Sequence, residues 1–150
     1  MVKFQLSPKG TLMMRILGFD YGSKRVGVAI CDELGITAQT LAVITRKNRK
    51  QDMETIAGFI EKYSVEKIVV GYPLMLDGTE GIQCEKVNRF IAVLEATFSL
   101  PVIRWDETLT TKEAEEILNR AKVPRKKMKS VVDKLTAGLI LQGYLNSLNS

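Results

Sequence analysis

Short apolar runs broken by glycine and polar steps fill the first third of the chain, and helical periodicity takes over afterwards. Arg15 to Asp20 and Arg25 to Cys31 flank Tyr21-Gly22-Ser23-Lys24, whose glycine suits a tight turn, so the pair predicts a β-hairpin. A third run, Ile36 to Thr45, follows Asp32-Glu33-Leu34-Gly35 and extends the hairpin into a three-stranded antiparallel meander. Met53, Ile56, Ile60 and Tyr63 then recur at helical spacing, whereas Glu66 to Tyr72 is the continuous apolar run of a strand covered on both faces. Val87, Phe90, Ile91, Leu94 and Phe98 mark a second helix, and Pro101 to Trp105 a fifth strand. Thr110 with Glu113 reads as a capping box ahead of Ala114, Ile117, Leu118 and Ala121. Val123-Pro124 ends that helix, and a last helix is expected from near Ser130 to about Leu148. The order predicts an α/β class: a mixed five-stranded sheet, three strands antiparallel and two parallel, flanked by helices.

At 150 residues the chain is the size of one domain, and 45% hydrophobic with 26% charged residues is globular composition. No stretch approaches the ~18 apolar residues of a membrane span, so a soluble, cytoplasmic protein with no membrane partner is expected. The periodic pattern starts at Met14, which makes residues 1–13 an extension without expected order and 14–150 the domain. Cys31 and Cys84 belong to no Cys-x-x-Cys pair and read as buried, reduced thiols. The count that restricts chemistry most is histidine, of which there is none. Ser-His and Cys-His catalysis are excluded, and water would have to be activated by a carboxylate, a lysine or a hard metal ion on oxygen ligands. A net charge of +5 leans toward a polyanionic partner.

Three acidic positions could carry such chemistry. Asp20 ends a buried strand just before a glycine turn, where a carboxylate either caps the turn or meets a cation. Gly22 would leave room for a phosphate or its metal. Asp106 and Glu107 follow the fifth strand, and alternation does not decide which of them points inward. Asp133 shares a helical face with Ala137, Ile140, Leu141 and Tyr144, although an Asp soon after Ser130 could equally serve the helix start. Small residues Ala137 and Gly138 would let that helix press on the sheet. Acids gathered on one rim, with no histidine, would suit Mg²⁺ or Mn²⁺. Arg120, Lys122, Arg125, Lys126, Lys127 and Lys129 precede Asp133 and suit a nucleic-acid backbone, whereas Arg46-Lys47-Asn48-Arg49-Lys50 reads as a solvated charge run. Trp105 and Tyr72 abut strands and read as packed rather than base-stacking. The loop from Gly71 to Gly81 should wall an active site, and it contains no nucleotide P-loop.

Four motifs, in order, resemble the YqgF/RuvX family. Gly18, Asp20, Gly22, Arg25, Gly27 and Ala29 meet its opening pattern, and GYPLMLDG, DETLTT and VDKLTA are similar to its later motifs, a match running from Met14 to about Asn146. The resemblance implies an RNase H-like fold and a metal-dependent nuclease that matures the 5′ end of pre-16S ribosomal RNA or resolves Holliday junctions. It implies Asp20, Glu107 and Asp133 as metal-binding acids for two-metal phosphodiester hydrolysis, a nucleic-acid partner, and a monomer or homodimer. Thr108 stands where the family pattern has arginine, with Lys24, Arg25 or Arg104 as possible substitutes for contacting phosphate. The competing expectation is a non-catalytic nucleic-acid-binding or ribosome-assembly factor on the same fold.

Overall fold

The computed structural model describes residues 5–6, 12–13, 15–108 and 110–149, with the side chains of residues 5, 6, 12, 13, 111, 129, 130 and 133 left aside. Two short strands, β1 (Gln5–Leu6) and β2 (Leu12–Met13), pair antiparallel with each other outside the main sheet. The main sheet contains β3 (Arg15–Tyr21), β4 (Arg25–Cys31), β5 (Ala38–Thr45), β6 (Val65–Tyr72) and β7 (Val102–Asp106), in the order β5-β4-β3-β6-β7. β3, β4 and β5 form the expected antiparallel meander, and β6 and β7 continue the sheet in parallel beside β3. Helix α1 (Arg49–Tyr63) links β5 to β6 and α2 (Ile82–Thr97) links β6 to β7. Helices α3 (Thr110–Arg120) and α4 (Arg125–Leu148) follow.

The two faces of the sheet have different partners. Leu17 and Phe19 of β3, Val26 and Val28 of β4, and Ile68 and Val70 of β6 pack with α1 and α2 in the larger core. Ile16, Ala29, Cys31 and Val69 face the other way and meet Ala137, Ile140, Leu141 and Leu145 of α4. Burial on both sides explains the unbroken apolar runs of the central strands. The α4 contact is unusually close because glycine stands under it: a methyl at residue 18 would lie 2.8 Å from Leu141 Cβ and 3.5 Å from the Ala137 carbonyl. Helix and sheet therefore touch nearly backbone to backbone, with Ala137 supplying the small residue on the helix and Gly18 on the strand. Gly138, the other expected small contact, instead sits beside Thr40 of β5.

α4 starts at Arg125, not near Ser130 as the sequence suggested. Cations in a first turn oppose the helix dipole by ~0.3–1 kcal/mol each, a cost this earlier start carries. Packing overrides that cost. Met128, Val131 and Val132 join Ala114 and Leu118 of α3 in a small third core, and Pro124, extended at φ −59 and ψ 140, serves as the N-cap. Both cysteines are buried thiols, neither of them in a disulfide. Among the described residues no helix is long and apolar enough to cross a membrane.

Candidate active site

Strand alternation places Asp20 on the α4 side, in line with Ile16 and Gly18 but one step beyond the last buried position. On β7, Ile103 and Trp105 pack on that same side, and Glu107, two residues further, returns to it. The Glu107 amide donates to the Tyr72 carbonyl at 3.1 Å, so the chain is still held against β6 when this residue is reached. Its carboxylate lies over Gly71, where an added methyl would stand 2.9 Å from Oε2 and 2.6 Å from Ile140 Cδ1. Asp20, Glu107, Thr108, Lys112, Leu74 and Leu76 are among the residues that line an open cleft of about 630 Å³. The 73–81 loop thus walls the cleft as expected. Asp77 braces it by accepting from the Thr79 amide at 2.9 Å and hydroxyl at 2.6 Å.

Burial first, and then the charges of Asp20 and Asp106, push the Glu107 carboxyl up to about 8. A carboxylate in that position is destabilised by losing water and by a like charge across the cleft, costs that a cation in the cleft would offset. The structure also separates the Asp106-Glu107 pair. Asp106 is exposed at the end of β7, and its Oδ1 accepts from the Thr108 amide at 2.8 Å and from the Thr108 hydroxyl. Thr108 therefore holds Asp106 in a local turn, and Glu107 is the acid the sheet delivers to the cleft.

The side chain of Asp133 lies outside the described residues, as does that of Lys129. The position of residue 133 on the helix follows from α4's direction. Tyr144 accepts from Lys67 Nζ at 3.0 Å, and Lys67 pairs with Ile16 at the start of β3. Ala137 and Leu141 cross over Gly18. Running back toward its N-terminus, α4 therefore follows β3 toward Asp20, and residue 133 comes one turn beyond Ala137. It lies more than two turns inside the helix, which removes a capping role at the helix start. Among the described residues no three His, Cys, Asp or Glu side chains gather as a metal site.

The cations fall in separate places. Arg25 occupies the same sheet face as Asp20, two residues before Gly27, the register partner of Asp20, and Lys24 is exposed in the connecting turn. Arg120, Lys122, Arg125, Lys126 and Lys127 are exposed around the α3–α4 connection, about 16 Å from the start of α3 given the ~1.5 Å rise of its 11 residues. They are not among the residues that line the cleft. Lys112, which sequence reasoning missed, does line it, together with Glu115. The signal was available: Lys112 and Glu115, three residues apart, share one face of α3. Arg104 turns to the α2 side, where its Nε donates to Asn88 Oδ1 at 2.9 Å, so it cannot take the place of the arginine absent at Thr108. Tyr72 is buried, and Trp105 packs edge-on against Tyr144, so neither is a base-stacking platform. Gly22 is explained by the hairpin and not by a phosphate: its amide donates to the Arg25 carbonyl at 2.9 Å, and a methyl there would stand 2.7 Å from that oxygen.

Residues 14–147 match the family model described as RuvX, Holliday junction resolvase. The chain belongs to the RuvX family. A relative from Syntrophus aciditrophicus is 64% identical over 136 residues, covering 91% of each chain. One from Halothermothrix orenii is 53% identical over 91% of this chain and 97% of its own, and one from Bacillus subtilis 46% identical over 91% and 100%. All three are provisionally named pre-16S rRNA nuclease. Among solved structures, T. thermophilus RuvC in complex with a Holliday junction substrate superimposes with a TM-score of 0.54 at 13% identity, over 91% of this chain and 97% of that one. The Fowlpox virus resolvase with Holliday junction DNA gives 0.52 at 16% identity, over 91% and 100%. These likenesses establish the RNase H-like fold, and RuvX membership makes the chain a nuclease of that fold.

Proposed function

We propose that this RuvX protein is an endonuclease that hydrolyses phosphodiesters by a two-metal mechanism, with Mg²⁺ or Mn²⁺ held by Asp20, Glu107 and Asp133, and that it acts in 5′-end processing of pre-16S rRNA. The observation that carries the reading is Glu107: a half-buried carboxyl opposed by Asp20, seated over a glycine whose missing side chain makes room for it. The ionised form costs free energy in the empty protein, which either keeps a proton there or meets a cation. All-oxygen donors and the absence of histidine match a hard divalent ion. When bound, the ions supply Lewis acidity to the phosphate and lower the pKa of water.

The chain's own groups do the rest. Asp20, Glu107 and Asp133 would hold the ions, with Asp20 near the end of β3 and Glu107 just past β7 lining the cleft. Lys112 offers the cleft an ammonium for a phosphate oxygen, a charge that Thr108 does not provide. Arg25 and the exposed cations from Arg120 to Lys127 would extend the positive surface along which the strand is held. Leu74 and Leu76 narrow the aqueous side of the cleft.

The test is cleavage of a pre-16S rRNA fragment, with a four-way DNA junction alongside, in Mn²⁺ or EDTA. Asp20→Asn should abolish cutting while leaving the fold and salt-dependent binding intact. Binding without metal-dependent cutting by the unaltered protein would replace this reading with that of an RNA-binding assembly factor. Cutting of the junction alone would assign the substrate to branched DNA.

A further inference from the structure

The end of β3 carries a second concavity on its opposite face. Tyr21 follows Asp20 and turns away from it, toward α1 and α2. Its ring stacks on Phe90, with centroids 4.5 Å apart and planes at 25°. The Arg46 guanidinium lies over the same ring, 4.6 Å from its centroid. Arg46 is further tied by Nη1, which donates to the carbonyls of Gly22 at 3.1 Å and Ser23 at 2.8 Å. These groups wall a pocket of about 400 Å³ whose lining also includes Lys47, Arg49, Arg89 and Asp52. Four cations thus meet one carboxylate, and that carboxylate already accepts from the Lys47 amide at 3.1 Å.

A charge run that the sequence leaves as a solvated face is therefore partly organised. Holding a guanidinium in place costs side-chain entropy, and here the hairpin carbonyls and Tyr21 have already supplied that ordering. Phe90 and Arg46 cover the Tyr21 ring, so the pocket offers N–H donors and positive charge rather than a surface for stacking a base. An anion with several acceptor oxygens fits, and arginine forks match phosphate geometry. The pocket and the carboxylate cleft straddle one strand end, with the turn from Gly22 to Lys24 between them.

We propose that this pocket binds a backbone phosphate of the strand being cut, a few nucleotides from the scissile position, and so sets where along the strand the carboxylates act. The identity of the ligand rests on the nuclease reading, but binding is measured apart from cleavage. The experiment uses the full chain in EDTA, a labelled single-stranded RNA oligonucleotide, and fluorescence anisotropy over a salt series. Because Arg46 also secures the hairpin, the informative variant is the double substitution Arg49→Gln with Arg89→Gln, checked by thermal unfolding, with Arg46→Gln alongside. Expected is an affinity loss of about tenfold, and a salt slope smaller by ~0.7, the value for one phosphate contact on a single strand. The same loss is expected in an Asp20→Asn background, so failure of the catalytic reading and failure of this one are told apart. Unchanged affinity and slope in the double variant would overturn the proposal. So would adenosine monophosphate binding that depends on Arg49 and Arg89 while oligonucleotide binding does not, because the pocket would then be a mononucleotide site.

Discussion

The Glu107 carboxylate and the Gly71 backbone occupy adjoining space so closely that a methyl at residue 71 would stand 2.9 Å from Oε2. Gly71→Ala should accordingly displace Glu107 and Ile140 together. Overpacking of this kind costs about 1–3 kcal/mol, and the displaced acid should weaken Mn²⁺ binding as well. Urea unfolding and a Mn²⁺ titration would check the two effects. A variant with unaltered metal affinity would show that Glu107 is not held by this contact.

Glu107 should also give the metal-free protein a pH signature. Its folded-state carboxyl is raised from 4.5 to about 8, chiefly by burial, so the folded chain keeps a proton that the unfolded chain releases. Its contribution to stability is then fully present below 4.5 and is lost as the pH rises through about 8. Thermal unfolding in EDTA between pH 5 and pH 8 should show this decline in the unaltered protein and a shallower one in Glu107→Gln. A divalent ion should bind with release of a proton over the same window, and binding should tighten as the pH rises. Identical pH slopes for the two proteins would mean that Glu107 titrates normally.

Gly18→Ala tests whether the approach of α4 matters to the site. The new methyl would meet Leu141 Cβ at 2.8 Å, and α4 carries residue 133 toward Asp20. A stability loss of about 1–3 kcal/mol is expected, accompanied by weaker Mn²⁺ binding, because moving the helix moves one acid relative to the others. Calorimetry with and without Mn²⁺ would separate the two effects.

Lys112→Gln should leave folding unchanged, since Lys112 is an exposed residue in the first turn of α3. If its ammonium meets the phosphate, kcat/KM should drop by about 10-fold, equivalent to ~1.4 kcal/mol, with the salt dependence of binding reduced by one contact. Lys112→Arg should restore most of the loss. Equal activity of Lys112→Gln and the unaltered protein would leave Lys112 outside the reaction.

Much of this architecture is legible in one dimension because it depends on local periodicity. Runs covered on both faces marked β3, β4 and β6, helical stripes marked α1 and α2, and glycine turns separated the strands. The start of α4 was not legible, since Lys and Arg at Arg125 to Lys127 carry no cap and oppose the dipole, while the packing of Met128, Val131 and Val132 on α3 that repays them is non-local. Asp106 and Glu107 are likewise neighbours of equal chemistry on paper. Their difference comes from Thr108 bonding Asp106 and from the parallel pairing that carries Glu107 over Gly71. Arg46, Arg49 and Arg89, separate along the chain, become a pocket only because α1 and α2 pack side by side beneath Tyr21.

Residue order alone determined the kinds of elements, their succession, and the restriction to carboxylate and hard-metal chemistry that follows from having no histidine. Tertiary structure alone decided which acid enters the cleft, how far that acid's proton affinity rises, and where the cations stand. The reason is physical: periodicity is set by bonds between near neighbours, whereas burial and charge repulsion depend on which distant segments the fold brings into contact.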